Sequence, residues 1–382
     1  MSKERLFVTA VAIFATGCSS TNLTEPNNAL DAGHDARVDA PVADAGPTDA
    51  PLGDAGPVDA QVRTNIPGRH DYVQVIEGIA REFIVYIPAK ASGTVAVPVV
   101  FVVHGTGGTG DKFYANAQWK EKAAAEGFIV VFPTALAYCY YDDTDDDGVF
   151  EEPSERVVGT KWAAGKLGVP EKRPMCSNEV LAKLPFAERT KADHPLKDDV
   201  GFFRAMIKFM NETSAIDEKR IYATGFSNGG EMTSRLAADA SDIFAAIAAS
   251  AGRISFAPAV MPRPLSFFYT LGADDPIWVP QLGVQSLPLS SNLLTVVPKL
   301  DQGTIQPNLK LLSLKNTHTY VEQTVGGKKL STFTYADSAV GASNKFHFMA
   351  IEDLAHAYPN GSNYPLVLAD LLWPFFKGEK LP

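Results

Sequence analysis

A serine with a glycine two positions away on each side is the feature of this sequence that points most directly to covalent chemistry. The segment Gly225-Phe226-Ser227-Asn228-Gly229 separates a strand-like run from a helix-like run. A serine on so tight a turn presents its hydroxyl above a sheet, and glycine fits there because a Cβ would clash with the returning chain. Beside a histidine, that hydroxyl becomes a nucleophile for acyl transfer. The pattern is short, so its interpretation depends on other features of the sequence.

A glycine-rich turn upstream offers the backbone donors that acyl transfer requires. The apolar run Val97–Val103 leads into His104-Gly105-Thr106-Gly107-Gly108. Amides in such a turn, and the amide just after a nucleophile, can hold the negative oxygen of a tetrahedral intermediate. We therefore predict that the backbones of Thr106 and Asn228 form an oxyanion hole. We expect His104 to brace the turn, and we reject a phosphate-binding loop because no Gly-Lys-Ser/Thr sequence follows.

Two later segments can supply an acid and a base. Asp274 and Asp275 follow the strand-like run Leu265–Leu271, and His356 follows the strand-like run Lys345–Ile351. An acid just beyond the end of a strand can orient a histidine, and the chain order Ser, Asp, His is the one expected here. We prefer Asp275 because the proline after it keeps it extended, and Asp274 is the alternative.

Alternating strands and helices must position these groups. Several strand-like runs are apolar at successive positions, which is typical of strands buried on both faces of a parallel sheet. With helix-like runs between them, the pattern predicts an α/β architecture with a doubly wound, mostly parallel sheet. Two long turn-rich stretches, the first insert (135–196) and the second insert (278–335), interrupt this order and are predicted to be loops that shape a substrate site. The strand-like runs are 82–87, 97–103, 128–132, 220–224, 244–249, 265–271 and 345–351, and the helix-like runs are 111–126, 198–211, 230–240 and 366–376.

These motifs together resemble a known family, the secreted esterases that include polyhydroxybutyrate depolymerases and feruloyl or acetylxylan esterases. The resemblance implies an α/β-hydrolase fold that cleaves carboxylic esters through an acyl-serine without a metal or organic cofactor. It implies that Ser227 is the nucleophile, His356 the general base and acid, and Asp275 the residue that orients the histidine. The matching segments are His104-Gly105-Thr106-Gly107, Asp198-Asp199-Val200-Gly201-Phe202, Gly225-Phe226-Ser227-Asn228-Gly229-Gly230, Asp275-Pro276 and His356-Ala357-Tyr358-Pro359.

The chain departs from the family near the histidine, and this leaves the substrate open. Leu354-Ala355 precedes the histidine where the family tends to have two glycines, and Tyr358 stands where it tends to have tryptophan. We predict that Trp278 and Tyr358 contact substrate, although Trp278 could equally belong to the core. The ester can be polymeric or small. The alternative from another class is a non-catalytic surface lipoprotein that uses the scaffold for binding.

The first 63 residues carry signals of export. Residues 1–17 combine a charged start with a short apolar run, as in a signal peptide, and the run is too short to span a bilayer. Cys18 resembles the lipidated cysteine of bacterial lipoproteins, which implies a membrane anchor, with Ser19 favouring the outer membrane; simple secretion is the alternative. Residues 18–63 repeat Asp-Ala among proline and glycine and are predicted to be a disordered tether. Residues 64–382 then form one catalytic domain.

Cysteine content and charge narrow the possible partners. Cys139 and Cys176 are the two cysteines beyond the leader, and in an exported domain they favour a disulfide. The formal net charge is −10, and no basic patch interleaved with aromatic residues is present. Nucleic acid is therefore excluded as a partner.

An acidic run in the first insert has two interpretations. Asp143, Asp145 and Asp147 match the start of a calcium-binding loop. The twelfth position of that loop is Ser154 rather than a glutamate, although Glu155 follows directly. A solvated run of charges explains the sequence equally well, and a bound calcium would stiffen the insert without entering the chemistry.

Overall fold

A computed structural model describes residues 62–143, 147–252 and 261–382. The predicted signal peptide, the lipid-anchor residue Cys18 and nearly all of the predicted tether lie outside these residues, and so does Asp145. The fold is described below for the residues that the structure covers.

Ten strands of the described chain form one sheet in the order β1-β2-β4-β3-β7-β8-β9-β12-β11-β10. The strands from β4 to β12 in this order run parallel to one another, and an antiparallel pair is added at each edge. A separate hairpin pairs β5 with β6. The strands are β1 Gly68–Ile76, β2 Ile79–Ile87, β3 Val97–Val103, β4 Ile129–Pro133, β5 Ala137–Tyr141, β6 Arg156–Thr160, β7 Ile216–Phe226, β8 Ala246–Ser250, β9 Ser266–Gly272, β10 His318–Val325, β11 Lys328–Tyr335 and β12 Phe346–Ile351.

Helices cover both faces of this sheet, as the apolar strands predict. Successive residues of β3 show this directly, because Phe101 packs in one apolar cluster with helices α5 and α6, and Val102 packs in another with α2 and α10. The mostly parallel, doubly wound sheet predicted from the sequence is confirmed. The helices are α1 Gly110–Asn116, α2 Trp119–Glu126, α3 Asn178–Lys183, α4 Phe186–Ala192, α5 Asp199–Thr213, α6 Asn228–Asp239, α7 Leu293–Val296, α8 Pro298–Leu300, α9 Gln306–Leu311 and α10 Leu368–Lys377.

The predicted helix 111–126 is two helices rather than one. Gln118 adopts a left-handed conformation with a φ of 61°, which interrupts the helical hydrogen bonds between α1 and α2. Trp119 follows the break and is fully buried against Phe128 and Phe376. The sequence pattern does not show the break, because a long-range aromatic contact rather than a proline or glycine accompanies it.

The two inserts are more regular than the sequence predicts. The first insert contains the hairpin β5–β6 and the helices α3 and α4, and the second contains α7, α8, α9 and the paired strands β10 and β11. Strand β10 is mostly exposed, so it lacks the apolar alternation by which strands are recognised. The prediction that both inserts are loops is therefore wrong for these segments.

A buried ion pair connects the sheet to helix α5. Arg81 of β2 donates to Asp199 of α5 at 2.6 Å, and their side chains are 1% and 0% exposed. The guanidinium also lies 3.9 Å from the ring centroid of Phe202. The second carboxylate oxygen of Asp199 accepts a hydrogen bond of 2.7 Å from the amide of Ala163 in the first insert. One carboxylate therefore joins a strand, a helix and the insert.

Removing the cation of this pair should destabilise the fold strongly. In Arg81→Met, the carboxylate of Asp199 stays buried without its cation, and we expect the free energy of unfolding to fall by about 3–5 kcal/mol. Arg204→Met is the matched control, because the Arg204–Asp242 pair is 40% and 46% exposed and should contribute about 1 kcal/mol or less. Urea unfolding monitored by tryptophan fluorescence measures both. Equal losses in the two variants would contradict the role given to the buried pair.

Candidate active site

Ser227 lies in a tight turn between the end of β7 and the start of α6. Its φ of 54° and ψ of −121° are unusual for a residue with a side chain. Glycine is required on both sides: a Cβ at Gly225 would lie 2.2 Å from the carbonyl oxygen of Gly229, and a Cβ at Gly229 would lie 2.3 Å from that of Val103. The backbone amide of Ser227 donates to Ser250 of β8 at 2.9 Å. These contacts hold the strained serine at the carboxyl edge of the parallel strands.

The serine, histidine and aspartate predicted from the sequence form one hydrogen-bonded chain. The Nε2 atom of His356 lies 2.9 Å from the Oγ atom of Ser227. Its Nδ1 atom lies 2.8 Å from the Oδ2 atom of Asp275. His356 is held in the loop after β12, and its ring packs 4.8 Å from that of Phe226. This arrangement allows the histidine to take a proton from the serine while the carboxylate orients its ring.

Of the two adjacent aspartates, Asp275 is the one that reaches the histidine. Asp275 is fully buried, whereas Asp274 is exposed. The Oδ1 atom of Asp275 accepts hydrogen bonds from the amides of Ile277 at 2.9 Å and Trp278 at 3.1 Å. These donors fix the carboxylate so that its other oxygen faces His356. The sequence preference for Asp275 agrees with this geometry.

The two predicted oxyanion donors lie on the same cavity as the serine. Thr106 and Asn228 line it together with Ser227 and His356. Asn228 is the first residue of α6, where backbone amides have no acceptor within the helix. Its side chain is engaged elsewhere, since Oδ1 accepts from the amide of Trp162 at 2.7 Å.

His104 braces the glycine-rich turn. Its Nε2 atom accepts from the amide of Ala135 at 3.0 Å, so Nδ1 carries the proton and donates to the carbonyl oxygen of Gly105 at 2.7 Å. Burial lowers the pKa of His104 to about 4, and the ring therefore stays neutral at neutral pH. Both ring nitrogens are used to join the end of β3 to the start of the first insert.

The cavity above the serine has a volume of about 390 Å³. Trp278 lines one wall, and its Nε1 atom donates to the carbonyl oxygen of Ala251 at 2.5 Å, which fixes the half-buried indole beside the serine. The first insert also lines the cavity, through Lys161, Arg173 and Asp142. The sequence analysis missed these three residues because they belong to no motif and only the hairpin β5–β6 and its following segment bring them together.

Tyr358 belongs to the core rather than to the cavity. Its hydroxyl accepts a hydrogen bond of 2.7 Å from Nε1 of Trp119, and its side chain is 7% exposed. Burial raises the pKa of Tyr358 to about 12. Its ring packs against Phe226, which lines the cavity, and Tyr358 itself lines a separate pocket of about 200 Å³. The structure therefore gives Tyr358 a structural role and does not place it among the residues that line the cavity above the serine.

Cys139 and Cys176 form a disulfide within the first insert, as predicted. The bridge links the middle of β5 to the segment before α3, and the amide of Cys176 also donates to the carbonyl oxygen of Cys139 at 3.0 Å. It closes a ring of chain that contains Lys161 and Arg173. The disulfide thus joins the two ends of the segment that supplies these cavity residues.

Two of the three predicted calcium ligands lie in the described residues. The carboxylate of Asp143 accepts hydrogen bonds from the amides of Asp147 at 3.2 Å and Gly148 at 2.9 Å. Asp145 lies outside the described residues. Within the part that the structure covers, no three histidine, cysteine, aspartate or glutamate side chains are grouped to hold a metal ion. The calcium site stays a prediction.

Comparisons with known proteins give one family match and several similar sequences. The family model of the prolyl oligopeptidase family matches residues 188–257, which contain the serine turn. Feruloyl esterase B of Piromyces equi is 28% identical over 171 residues, 45% of this chain and 24% of its own length. The putative esterase NocK of Nocardia uniformis subsp. tsuyamanensis is 30% identical over 182 residues, 47% of this chain and 40% of its own length.

Among solved structures, the acetyl xylan esterase from Aspergillus awamori aligns with 81% of this chain and 99% of its own, at 14% identity and a TM-score of 0.48. The chain spans less than half the length of the curated relatives named above. The order of the sheet and the serine turn give this chain the α/β-hydrolase fold, and its sequence is similar to esterases over about half of its length.

Proposed function

We propose that the protein is a serine hydrolase of carboxylic esters. The observation that carries this proposal is the continuous hydrogen-bonded chain from the Oγ atom of Ser227 through His356 to the buried carboxylate of Asp275. The chain ends in a cavity that is also lined by Thr106 and Asn228. A nucleophile, its base, an orienting acid and candidate oxyanion donors thus meet at one point, which is the arrangement that acyl transfer requires.

The reaction follows from the positions of these groups. His356 takes the proton from Ser227 as the Oγ atom attacks the ester carbonyl, and the Thr106 and Asn228 amides bind the oxyanion that forms. His356 then gives the proton to the departing alcohol, which leaves an acyl-serine. A water molecule, deprotonated by His356, attacks the acyl-serine and releases the acid. The carboxylate of Asp275 stabilises the charged imidazole at each proton transfer. No metal or organic cofactor takes part in these steps.

Two kinds of natural ester fit the proposal. The name of the Piromyces equi relative favours feruloyl esters, and the resemblance to acetylxylan esterases adds acetyl esters on plant polysaccharides. The indole of Trp278 lines the cavity, where an aromatic or sugar ring can stack on it. Polyhydroxyalkanoate is the second candidate, supported by the resemblance of the Ser227-Asn228-Gly229-Gly230 segment to polyhydroxybutyrate depolymerases.

We also propose that the enzyme acts outside the cytoplasm. The leader 1–17, the lipobox-like Cys18 and the disulfide between Cys139 and Cys176 support this location. A lipid on Cys18 and the acidic tether would hold the catalytic domain at the cell envelope. Of the helices in the described residues, none has the length and apolar character needed to cross a membrane.

Ester hydrolysis should depend on Ser227. We expect the purified protein to hydrolyse p-nitrophenyl esters from acetate to octanoate, and Ser227→Ala to lower kcat by about 10⁴-fold or more because the covalent route is lost. Initial rates measure this, and equal melting temperatures show that the variant is folded. Feruloylated arabinoxylan, acetylxylan and polyhydroxybutyrate films then test the natural substrate, and a p-nitroanilide tests peptidase activity.

Covalent labelling separates this enzyme from a non-catalytic binding protein on the same scaffold. A fluorophosphonate should label wild type at Ser227 and leave Ser227→Ala unlabelled. If wild type neither reacts nor turns over any ester, the proposed function is wrong.

The two adjacent aspartates should differ sharply in their effect on catalysis. Asp275→Asn keeps the shape of the side chain but removes the negative charge that orients and stabilises the imidazole, so kcat should fall by about 10³–10⁴-fold. Asp274→Asn is the matched control and should stay within about threefold of wild type, since Asp274 is exposed. Rates on p-nitrophenyl butyrate measure both. If Asp274→Asn lost more activity than Asp275→Asn, Asp274 rather than Asp275 would be the residue that orients the histidine.

Metal removal should leave catalysis intact. We expect EDTA to change kcat/KM by less than about twofold, because every step above uses protein groups and water. The same samples test the calcium loop by differential scanning fluorimetry. Calcium should raise the melting temperature by about 2 °C or more if the loop binds it, and Asp143→Asn, which keeps an oxygen for the two backbone amides, should abolish the rise. Loss of activity in EDTA that calcium or zinc restores would contradict the metal-free mechanism.

A further inference from the structure

Lys161 is a buried lysine that lines the cavity above the serine. It follows β6 in the first insert, and its side chain is 3% exposed. The ammonium donates to the Oγ1 atom of Thr106 at 3.1 Å and lies 4.9 Å from the ring centroid of Tyr140. The charge is therefore held beside the turn that is expected to bind the oxyanion.

The other cations around the cavity are matched by carboxylates. Arg173 donates to Asp142 at 2.7 Å, and Lys166 donates to Glu231 at 3.0 Å. Within residues 62–143, 147–252 and 261–382, the ammonium of Lys161 has no carboxylate within 4.0 Å. The described contacts of Lys161 are thus a neutral hydroxyl and an aromatic ring.

A desolvated ammonium without a carboxylate at ion-pair distance is unfavourable, and the more distant Asp142 and Glu231 do not offset this in its pKa. Burial, reinforced by the nearby charge of Arg173, lowers the pKa of Lys161 to about 8. A carboxylate that entered the cavity would supply the missing charge and raise that pKa again. Arg173 is placed to help, because it lines the same cavity and its ion pair with Asp142 uses the Nε atom.

We propose that Lys161, assisted by Arg173, binds a carboxylate on the substrate, so that the enzyme prefers esters that carry a negative charge near the scissile bond. This inference rests on the proposed ester hydrolysis. The carboxylate can belong to the acyl group or to the alcohol. In both cases the ammonium of Lys161 and the guanidinium of Arg173 bind one carboxylate beside a buried side chain, where a charge-assisted hydrogen bond is strong.

Matched ester pairs test the preference directly. Mono-p-nitrophenyl glutarate and p-nitrophenyl valerate differ only by a carboxylate in place of the terminal methyl of the acyl chain. The pair 4-acetoxybenzoate and 4-methylphenyl acetate places the same change on the alcohol. For at least one pair, we expect kcat/KM of wild type to be about tenfold or more higher for the anionic ester, after correction for the uncatalysed rates. The pair that shows the preference identifies whether the bound carboxylate belongs to the acyl group or to the alcohol of the ester.

Variants assign the preference to Lys161. Lys161→Met should lower kcat/KM for the anionic ester about tenfold more than for its neutral partner, and Lys161→Arg should restore part of the ratio. Lys208→Met is the control, because it removes the same charge from an exposed position on α5 and should leave the ratio unchanged. If Lys161 only positions Thr106, Lys161→Met should slow hydrolysis of both esters equally. This outcome would overturn the inference.

The pH dependence gives a second readout that does not need the variant to fold. The charged groups around Lys161 are Arg173, Asp142, Glu231 and Lys166. Protonated Lys161 binds the anion, so the wild-type ratio should be high below pH 8 and fall as pH rises past it. A ratio near one at every pH, with the neutral ester hydrolysed, overturns only this inference. If neither ester is hydrolysed, the proposed function itself fails.

Discussion

The close crossing of backbone segments beneath Ser227 is the constraint on which the rest of the molecule depends. Gly225, Gly229 and Gly252 lie where an added Cβ would come within 2.2–2.4 Å of backbone atoms of neighbouring segments. Only a set of parallel strands that end together brings three segments so close at one edge, and only glycine fits between them. This packing holds the strained backbone of Ser227, and it places the hydroxyl where His356 can contact it.

Three consecutive residues of the first insert then join the chemical centre to the fold. Lys161 binds the side chain of Thr106, Trp162 donates through Nε1 to the carbonyl oxygen of His104, and Ala163 donates to Asp199. Arg235 of α6 donates to the carbonyl oxygen of Ala163. The glycine-rich turn, the helix after the serine and the buried ion pair therefore share one short segment. An insert that would be expected to be peripheral is part of the framework of the site.

The central sheet and the three triad positions could be predicted from the sequence because each leaves a local signature. Continuous apolar runs mark strands buried on both faces, and each triad residue follows such a run at a turn. Strand β10 could not be recognised, since six of its eight residues are exposed. Tyr358 and Lys161 could not be placed for a different reason. Their surroundings are made by residues such as Trp119 and Tyr140, which come from distant or irregular parts of the chain, and no local pattern records such contacts.

The disulfide between Cys139 and Cys176 has a consequence for how such an enzyme can diversify. The ring that it closes contains Asp142, Lys161 and Arg173, which line the cavity together with Trp278, whereas Ser227, Asp275 and His356 all lie outside it. Residues 161–163 of the ring also hold the glycine-rich turn and the buried ion pair, so exchanges there reach the hydrolytic apparatus. Elsewhere in the ring, changes are contained between two covalently joined ends, and this part works as an exchangeable cassette in which natural variation or directed evolution can alter what is bound.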